Sequence, residues 1–335
     1  MAGKRQHYQP QFLLKGFSSK RSGKSYFSWL YRKNATPKEV NIRHISVQKR
    51  FYENGNPKID DAITREENDL GILINKLRNS SNTNNLKSKD AASLIAHLEI
   101  RTRHLREGMH AFSKNFFIES INYLKITDNF NKFISMSIEK KIREDLLSKS
   151  IPKNKRREYR LYMKRKARPD IENKFNALLN HAHDEFPKHL PEIVKKGQLS
   201  ALSKSVIPIK RADEYIKLNW KLSFSEEPYI LGDFGVLFKI DSPKNYTTFW
   251  TKDFKLLNVF LPISTNLLLI GSTSLDVGKT NTLELNKAIA SHSRDYFISS
   301  CNNRRISSLI DLIGTKSEFF TEKEIFEFCK NLFKL

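Results

Sequence analysis

The sequence is poor in cysteine and in long apolar runs, which excludes two classes of protein, and its acidic residues are fewer than its basic ones. Its two cysteines, Cys301 and Cys329, provide neither a disulfide framework nor a four-ligand zinc site, which favours a reducing cytoplasm. No stretch approaches the roughly 18 consecutive apolar residues of a membrane span, so we expect a soluble protein with no membrane partner. Lys15 and Gly16 interrupt the opening stretch HYQPQFLLKGF, which therefore does not match a secretion signal.

Basic residues outnumber acidic ones, and the excess is concentrated in two regions. The formal net charge is +23. Residues 1–50 hold twelve Lys and Arg against one acid, and residues 149–168 hold ten against one, so together they contribute +20 (11 + 9). Residues 215–335 are close to neutral, with fifteen bases and thirteen acids. Such clusters of basic residues favour an anionic partner such as nucleic acid.

Hydrophobic periodicity predicts an α+β fold. Alternating bulky and polar residues predict N-terminal strands in SYFSWLYRK and EVNIRHISVQKRFY. Apolar residues at helical spacing predict one helix from Ile59 to Leu77 and a second, unbroken helix of about seven turns from Ala91 to Phe116. After residue 210 the pattern changes to the period of two that is typical of strands.

The middle of the chain is predicted to be helical over residues 128–149 and 153–200, with the second helix interrupted at Pro169, Pro187 and Pro191. From these changes in hydrophobic periodicity along the chain we expect two regions. Residues 1–210 would form N-terminal strands plus a basic helical region, and residues 211–335 a C-terminal α+β region. An alternative is that both regions form one compact unit.

The opening stretch resembles the N-terminal signature of a bacterial domain-of-unknown-function family, number 4238. The matching positions are His7, Tyr8, Pro10, Leu13, Leu14 and Phe17. The resemblance continues with a helix bearing a central glutamate, Glu67, with the arginine-bearing helix HLEIRTRHLRE, with a strand ending at Asp233, and with LNKAIASHSRDYFISS. It departs from the family after Asp233, where Phe234 and Gly235 replace a polar residue and proline. The resemblance supplies candidate positions but no reaction.

Four of these positions form a candidate catalytic site: His7, Glu67, Arg101 and Asp233. In this hypothesis His7 is an acid or base, Arg101 binds a phosphate, and Glu67 and Asp233 orient groups or bind a metal such as Mg²⁺. Arg101 and Glu67 both border apolar helix faces, and an antiparallel pairing of the helices would bring them together. The alternative is therefore a buried ion pair that fixes the helix register.

The basic stretch KNKRREYRLYMKRKARP predicts a nucleic-acid-binding helix. Basic residues three or four positions apart would form a cationic stripe on one helix face, and neighbouring tyrosine rings could stack on unpaired bases. The candidate residues are Arg156, Arg157, Arg160, Lys164, Arg165 and Arg168, with Tyr159 and Tyr162. A lysine-rich solvated face is the alternative.

Three shorter motifs favour ordinary structural interpretations. Arg103 and His110 resemble the R-x(4–6)-H motif of HEPN ribonucleases, but a helical pair at such loose spacing is common by chance, and a solvated helix face is the favoured interpretation. Asp233 or Asp241 together with the DFK triplet, Asp253 to Lys255, has the carboxylates and lysine of metal-dependent nucleases, yet such triplets recur by chance in a lysine-rich chain. The GKT around Lys279 lacks the first glycine of a phosphate-binding loop.

From these observations we expect a cytoplasmic bacterial protein that binds RNA or DNA and is a candidate nuclease, with an antiviral-defence or toxin role. The alternative is a non-catalytic subunit of a larger complex. The sequence leaves RNA versus DNA, metal use, a protein partner and homo-oligomerisation open.

Overall fold

The protein has an α+β fold, as the sequence predicted. The computed structural model describes residues 5–49, 58–79, 86–149, 151–275 and 280–332. The chain divides into two compact units. Unit 1 comprises residues 1–109 and 195–319, and unit 2 comprises residues 110–194 and 320–335. In sequence, unit 2 is thus largely an insertion within unit 1. The boundary predicted at residue 210 stays a prediction.

All the described strands belong to unit 1 and pair in an antiparallel manner. They are β1 (Arg5–His7), β2 (Lys20–Ser22), β3 (Ser25–Arg32), β4 (Lys38–Asn41), β5 (Val47–Lys49), β6 (Asn219–Phe224), β7 (Leu231–Gly232), β8 (Leu237–Ile240), β9 (Tyr246–Thr247), β10 (Leu256–Ser264), β11 (Leu267–Ser272) and β12 (Tyr296–Ser299). One sheet has the order β6-β11-β10-β8-β9, a second has the order β2-β3-β12-β7 with β4 also on β3, and β1 pairs with β5. The register Trp29↔Ser299 in the second sheet joins the two chain segments of unit 1.

The described helices are α1 (Gln11–Leu14), α2 (Lys58–Asn79), α3 (Ser88–Arg101), α4 (Arg103–Lys125), α5 (Thr127–Ser148), α6 (Arg156–Tyr162), α7 (Arg168–Lys204), α8 (Ile209–Ile216), α9 (Thr282–His292), α10 (Arg304–Ser307) and α11 (Glu322–Leu332). A π-helical segment, Met163–Ala167, joins α6 to α7. Helix α2 confirms the prediction for this region, with Asp60 and Asp61 in the first turn, where the helix dipole favours acids.

The predicted unbroken helix from Ala91 to Phe116 is wrong, because the helix is interrupted at Thr102, between α3 and α4. Thr102 has an extended backbone, with φ −66° and ψ 144°. Its Oγ1 accepts the backbone N–H of Leu105 at 3.0 Å, which caps the start of α4. The break separates two arginines: Arg101 is 2% exposed, whereas Arg103 is 44% exposed.

The predicted interruptions at Pro187 and Pro191 are also wrong, since α7 runs through both prolines. Each proline removes one N–H from the helix. The surrounding packing holds this section in place: Phe186 stacks on Phe117 with ring centroids 4.1 Å apart, and Leu190 is buried. Pro169 lies in the first turn of α7, where an N–H has no helical partner to lose.

Each unit has its own apolar core. In unit 1 the core covers the sheet β6-β11-β10-β8-β9, where Leu268, Leu269 and Ile270 of β11 are fully buried. Helix α2 contacts β10, and α3 contacts β6. In unit 2, Ile134, Ile138 and Ile142 recur every four residues along α5 and pack around Met163, with Phe175 beside them. None of the helices in the described ranges is long and apolar enough to cross a membrane.

Candidate functional site

The opening stretch HYQPQFLLKGF anchors the N-terminal segment to the core of unit 1. Leu13, Leu14 and Phe17 are fully buried. Arg78 of α2 bridges this segment and β10 through backbone carbonyls: its Nη1 donates to Phe12 O at 2.9 Å, and its Nε to Ile263 O at 2.8 Å.

Gly16 is required where this segment passes the sheet. A Cβ on Gly16 would lie 2.3 Å from Ile263 O and 2.4 Å from Arg78 Nη2. The backbone N–H of Thr265 donates to Gly16 O at 3.0 Å, so the two chain segments are bonded at this closest approach. Only a residue without a side chain fits between them.

Arg101 lies at the centre of a buried polar cluster. It forms an ion pair with Glu67 through Nη1, which also lies 2.9 Å from His97 Nε2. Its Nη2 donates to the backbone carbonyl of His7 at 2.8 Å. The predicted contact between Glu67 and Arg101 is therefore present, and it links α2, α3 and the N-terminal strand.

The imidazole of His7 has hydrogen-bond partners at both nitrogens. Nδ1 donates to Ile45 O at 3.1 Å, and Nε2 accepts from Gln11 Nε2 at 3.0 Å. Burial lowers the pKa of His7 to about 4, so the ring is neutral at pH 7. In this arrangement the ring positions the start of α1 and the loop before β5.

Asp233 is buried at the end of β7 and organises the backbone before β12. Its carboxylate accepts the N–H groups of Arg294 at 3.1 Å, Asp295 at 2.7 Å and Tyr296 at 3.4 Å. Burial raises the pKa of Asp233 to about 7, although these backbone hydrogen bonds oppose the shift.

His104 lies beside Asp233 without bonding to it. Its Nδ1 is buried, has no hydrogen-bond partner within the described part of the chain, and lies 3.8 Å from Asp233 Oδ1. Its Nε2 lies 2.7 Å from Thr248 Oγ1. Burial lowers the pKa of His104 to about 3, so this neighbour is uncharged at neutral pH.

The backbone segment that Asp233 holds, Arg294 to Tyr296, lines a cleft in unit 1 with a volume of about 410 Å³. Four cationic side chains line it, and the acidic residue among the described residues of its lining is Asp295. The cationic residues are Arg32, Lys33, Arg103 and Arg294. They come from the end of β3, the first turn of α4 and the segment before β12. The cleft therefore has the charge and the donors of an anion site.

Two of the cationic side chains are held by acidic partners. Arg103 Nε donates to Glu107 at 2.5 Å, and its Nη1 lies 3.3 Å from Asp295. Arg294 Nη2 donates to Glu318 at 3.1 Å. Arg32 is exposed beside them. The cleft thus combines two guanidinium groups held by acids with two exposed cationic side chains, those of Arg32 and Lys33.

Tyrosines form one wall of the cleft. Tyr296 is buried, and its hydroxyl contacts Ser46 Oγ. The Ser46 hydroxyl donates to Gln9 Oε1 at 2.6 Å, and Gln9 Nε2 donates to Gly232 O at 2.6 Å. Tyr8 lies beside Tyr296, and burial raises its pKa, so its hydroxyl keeps its proton.

The structure brings three of the four predicted catalytic residues together, but outside this lining. His7, Glu67 and Arg101 meet in the buried cluster. Asp233 lies outside the cluster and accepts a hydrogen bond from the backbone N–H of Arg294, a residue of the cleft lining. Their catalytic roles stay predictions.

Sequence reasoning missed the lining residues Tyr8, Arg32, Lys33 and Arg294 as functional candidates, and it assigned Arg103 to a solvated face. The signals available were the position of Tyr8 within the opening signature and of Arg294 within SHSRDYF. His110, the other half of the Arg103 motif, belongs to unit 2.

In unit 2, the predicted nucleic-acid-binding residues lie on α6, the π-helical segment and the start of α7. Six of them are exposed: Arg156, Arg157, Arg160, Tyr162, Lys164 and Arg165. Tyr159 instead donates its hydroxyl to Asp145 and packs on the unit 2 core. Lys164 pairs with Glu139, and Arg168 bonds Glu172 at 2.6 Å. The exposed arginines form a basic helical surface.

The carboxylates of the DFK motif do not form a metal site among the described residues. Asp241 and Asp253 are exposed, and the structure links Asp241 to Lys255 by a backbone hydrogen bond of 2.9 Å. Across the described ranges, no group of three or more His, Cys, Asp or Glu side chains is arranged to hold a metal. The GKT motif lies largely outside the described residues, which omit 276–279.

No curated protein and no solved structure shows a significant match to this chain. Residues 5–303 match a family described as "Protein of unknown function (DUF4238)". The match begins before the opening signature and includes every segment that lines the cleft. The chain therefore belongs to the DUF4238 family.

Proposed function

We propose that this protein binds nucleic acid through phosphate groups, with the cleft of unit 1 as the principal site. The observation that carries the proposal is the convergence of Arg32, Lys33, Arg103 and Arg294 on one cavity. Cationic side chains that share a cavity repel one another, and a bound anion lowers this repulsion energy.

The geometry of the arginines suits a phosphate. Arginine presents its N–H donors in a planar fork that matches two phosphate oxygens. Asp295 and Glu107 restrict the Arg103 guanidinium, so less side-chain freedom is lost when a ligand binds. Tyr8 adds a neutral hydroxyl donor to the same cleft.

The basic surface of unit 2 supports the same function. Arg156, Arg157, Arg160 and Arg165 are exposed on consecutive helical turns. Each phosphate that such a surface neutralises releases a counterion and makes the affinity depend on salt. Tyr162, which is 56% exposed, offers a ring for stacking on an unpaired base.

Binding without cleavage has the stronger geometric support. Both ring nitrogens of His7 are already bonded, and Glu67 and Arg101 bond each other. Neither arrangement leaves a group directed at a bound phosphate. The assay described next would also detect a nuclease activity, because cleavage products are resolved on a gel.

The experiment measures binding of labelled single-stranded RNA, tRNA, single-stranded DNA and duplex DNA at several salt concentrations, with Mg²⁺ or EDTA, and resolves products on a gel. The test variant is Arg32→Gln/Lys33→Gln, because both side chains are exposed and line the cleft. The matched control is Arg65→Gln/Arg304→Gln, which removes the same charge from exposed positions elsewhere in unit 1.

We expect salt-sensitive binding that falls about tenfold or more in the test variant and much less in the control. Absence of binding, or equal losses in the two variants, would overturn the proposal.

A further inference from the structure

We infer that the cleft of unit 1 recognises a phosphomonoester, the phosphorylated end of a strand or a free nucleotide, rather than an internal phosphodiester. The inference rests on the proposed function and specifies the ligand of the same cleft.

The charge of the cleft fits a monoester. A phosphomonoester carries about −1.5 to −2 at pH 7 and has three terminal acceptor oxygens. An internal phosphodiester carries one charge and presents two free oxygens. The lining carries four cations and one acid, Asp295. Glu107 and Glu318 lie outside the lining and offset the charges of Arg103 and Arg294, so the local formal charge is +1 (4 − 1 − 2) and all four cationic side chains still converge on one cavity. This concentration of charge on one spot suits a dianion better than a chain of separated single charges.

The size and the wall of the cleft fit one nucleotide. A volume of about 410 Å³ lies within the range of small-molecule sites, roughly 300–1,000 Å³. Beside the cations, the lining includes Tyr8 and Tyr296 and the aliphatic side chains Leu30, Ile45 and Val47. A sugar and base can contact this apolar wall while the phosphate meets the arginines.

The basic surface of unit 2 has the opposite character. Its arginines are exposed along successive helical turns rather than gathered around a cavity. Such a surface can follow the evenly spaced phosphates of a backbone. The two surfaces therefore suit different parts of a nucleic acid, which an experiment can separate.

The experiment compares one short single-stranded oligonucleotide in three forms, with a 5′-hydroxyl, a 5′-phosphate or a 3′-phosphate, by fluorescence anisotropy. A nucleoside and its 5′-monophosphate serve as competitors. We expect a phosphorylated form to bind about tenfold more tightly than the hydroxyl form. This preference should disappear in Arg32→Gln/Lys33→Gln and persist in Arg65→Gln/Arg304→Gln. Thermal melting verifies that both variants are folded.

The competitors identify the source of the phosphate. Full displacement by the monophosphate, and none by the nucleoside, indicates a nucleotide site; weak displacement combined with an end preference indicates a strand end. Equal affinity for all three forms, with no monophosphate binding, would overturn the inference and leave the proposed function standing. Failure of every nucleic acid to bind would overturn the proposed function itself.

Discussion

Replacing Arg101 by methionine tests whether the buried cluster stabilises the fold or acts on a ligand. Arg101 is 2% exposed and donates to Glu67, His97 and the His7 carbonyl. Removing one member of a buried ion pair costs about 3–5 kcal/mol. Because Glu67 is 26% exposed and can be rehydrated, we expect Arg101→Met to lower the free energy of unfolding by about 3 kcal/mol, at the lower end of that range.

Tryptophan fluorescence during urea unfolding measures this loss selectively, since all three tryptophans, Trp29, Trp220 and Trp250, belong to unit 1. Glu67→Gln is the companion variant. Its amide oxygen still accepts a hydrogen bond, so we expect a smaller loss of about 1–2 kcal/mol. The double variant should lose less than the sum, because neither partner then leaves the other unpaired.

The structural interpretation also predicts that folded Arg101→Met protein keeps its nucleic-acid affinity, because Arg101 does not line the cleft. An unfolding free energy within about 1 kcal/mol of the unmodified protein, together with lost binding or lost cleavage, would refute this reasoning. That result would instead support the hypothesis that Arg101 binds a phosphate.

Three further predictions concern the N-terminal segment and the support of the cleft. Gly16→Ala should destabilise unit 1 by about 1–3 kcal/mol in the same urea assay, because the added Cβ meets Ile263 O and Arg78; unchanged stability would contradict the close approach. His7→Ala should lower the unfolding free energy by about 1–2 kcal/mol through two lost hydrogen bonds and leave ligand affinity unchanged, whereas lost cleavage with normal stability would show that the ring acts in chemistry. Folded Asp233 binds a proton up to a pKa of about 7, whereas an unfolded aspartate releases it near 3.8, so the ionised side chain opposes folding. The Asp233 contribution to stability should therefore fall as the pH rises from about 4 to 7 and level off above, whereas the buried His7 and His104 contribute with the opposite sign over this range. The unfolding free energy of Asp233→Asn minus that of the unmodified protein should thus rise between pH 4 and 7; an identical pH profile in the variant would contradict the assignment.

The apolar periodicity of the sequence predicted those helices and strands whose buried residues follow a regular spacing. Helix α2 lies where the apolar pattern indicated, since it buries a single face, and strand β3 also lies within the predicted segment, although its buried residues Ser28 and Tyr31 are on opposite faces. The contact between Glu67 and Arg101 was also predictable, because a charge on an apolar face needs a partner. The need for a partner does not establish whether Glu67 or Arg101 acts in catalysis.

The break at Thr102 could not be predicted because the apolar spacing continues across it. A single side-chain cap outweighs the pattern there and turns Arg103 towards the cleft. The cleft itself was unpredictable for a related reason. Tyr8, Arg103 and Arg294 are distant in sequence, and tertiary contacts bring their segments together: Tyr8 N–H donates to Ser46 O, and Arg103 pairs with Asp295.

The discontinuous sequence of unit 1 has a consequence for synthesis on the ribosome. The cleft needs Tyr8 from the first strand region and Arg294 from just before β12, and residues 110–194 of unit 2 are translated between them. A nascent chain that ends before residue 294 lacks β12, one of the strands that pair with β3, and the Arg294 to Tyr296 part of the cleft lining. Domains generally fold as units during translation, so the cleft forms late, after the α-helical insertion has emerged. A partly translated chain would therefore expose its basic N-terminal strands without a completed cleft, and ligand binding through that cleft would begin only with the nearly complete protein.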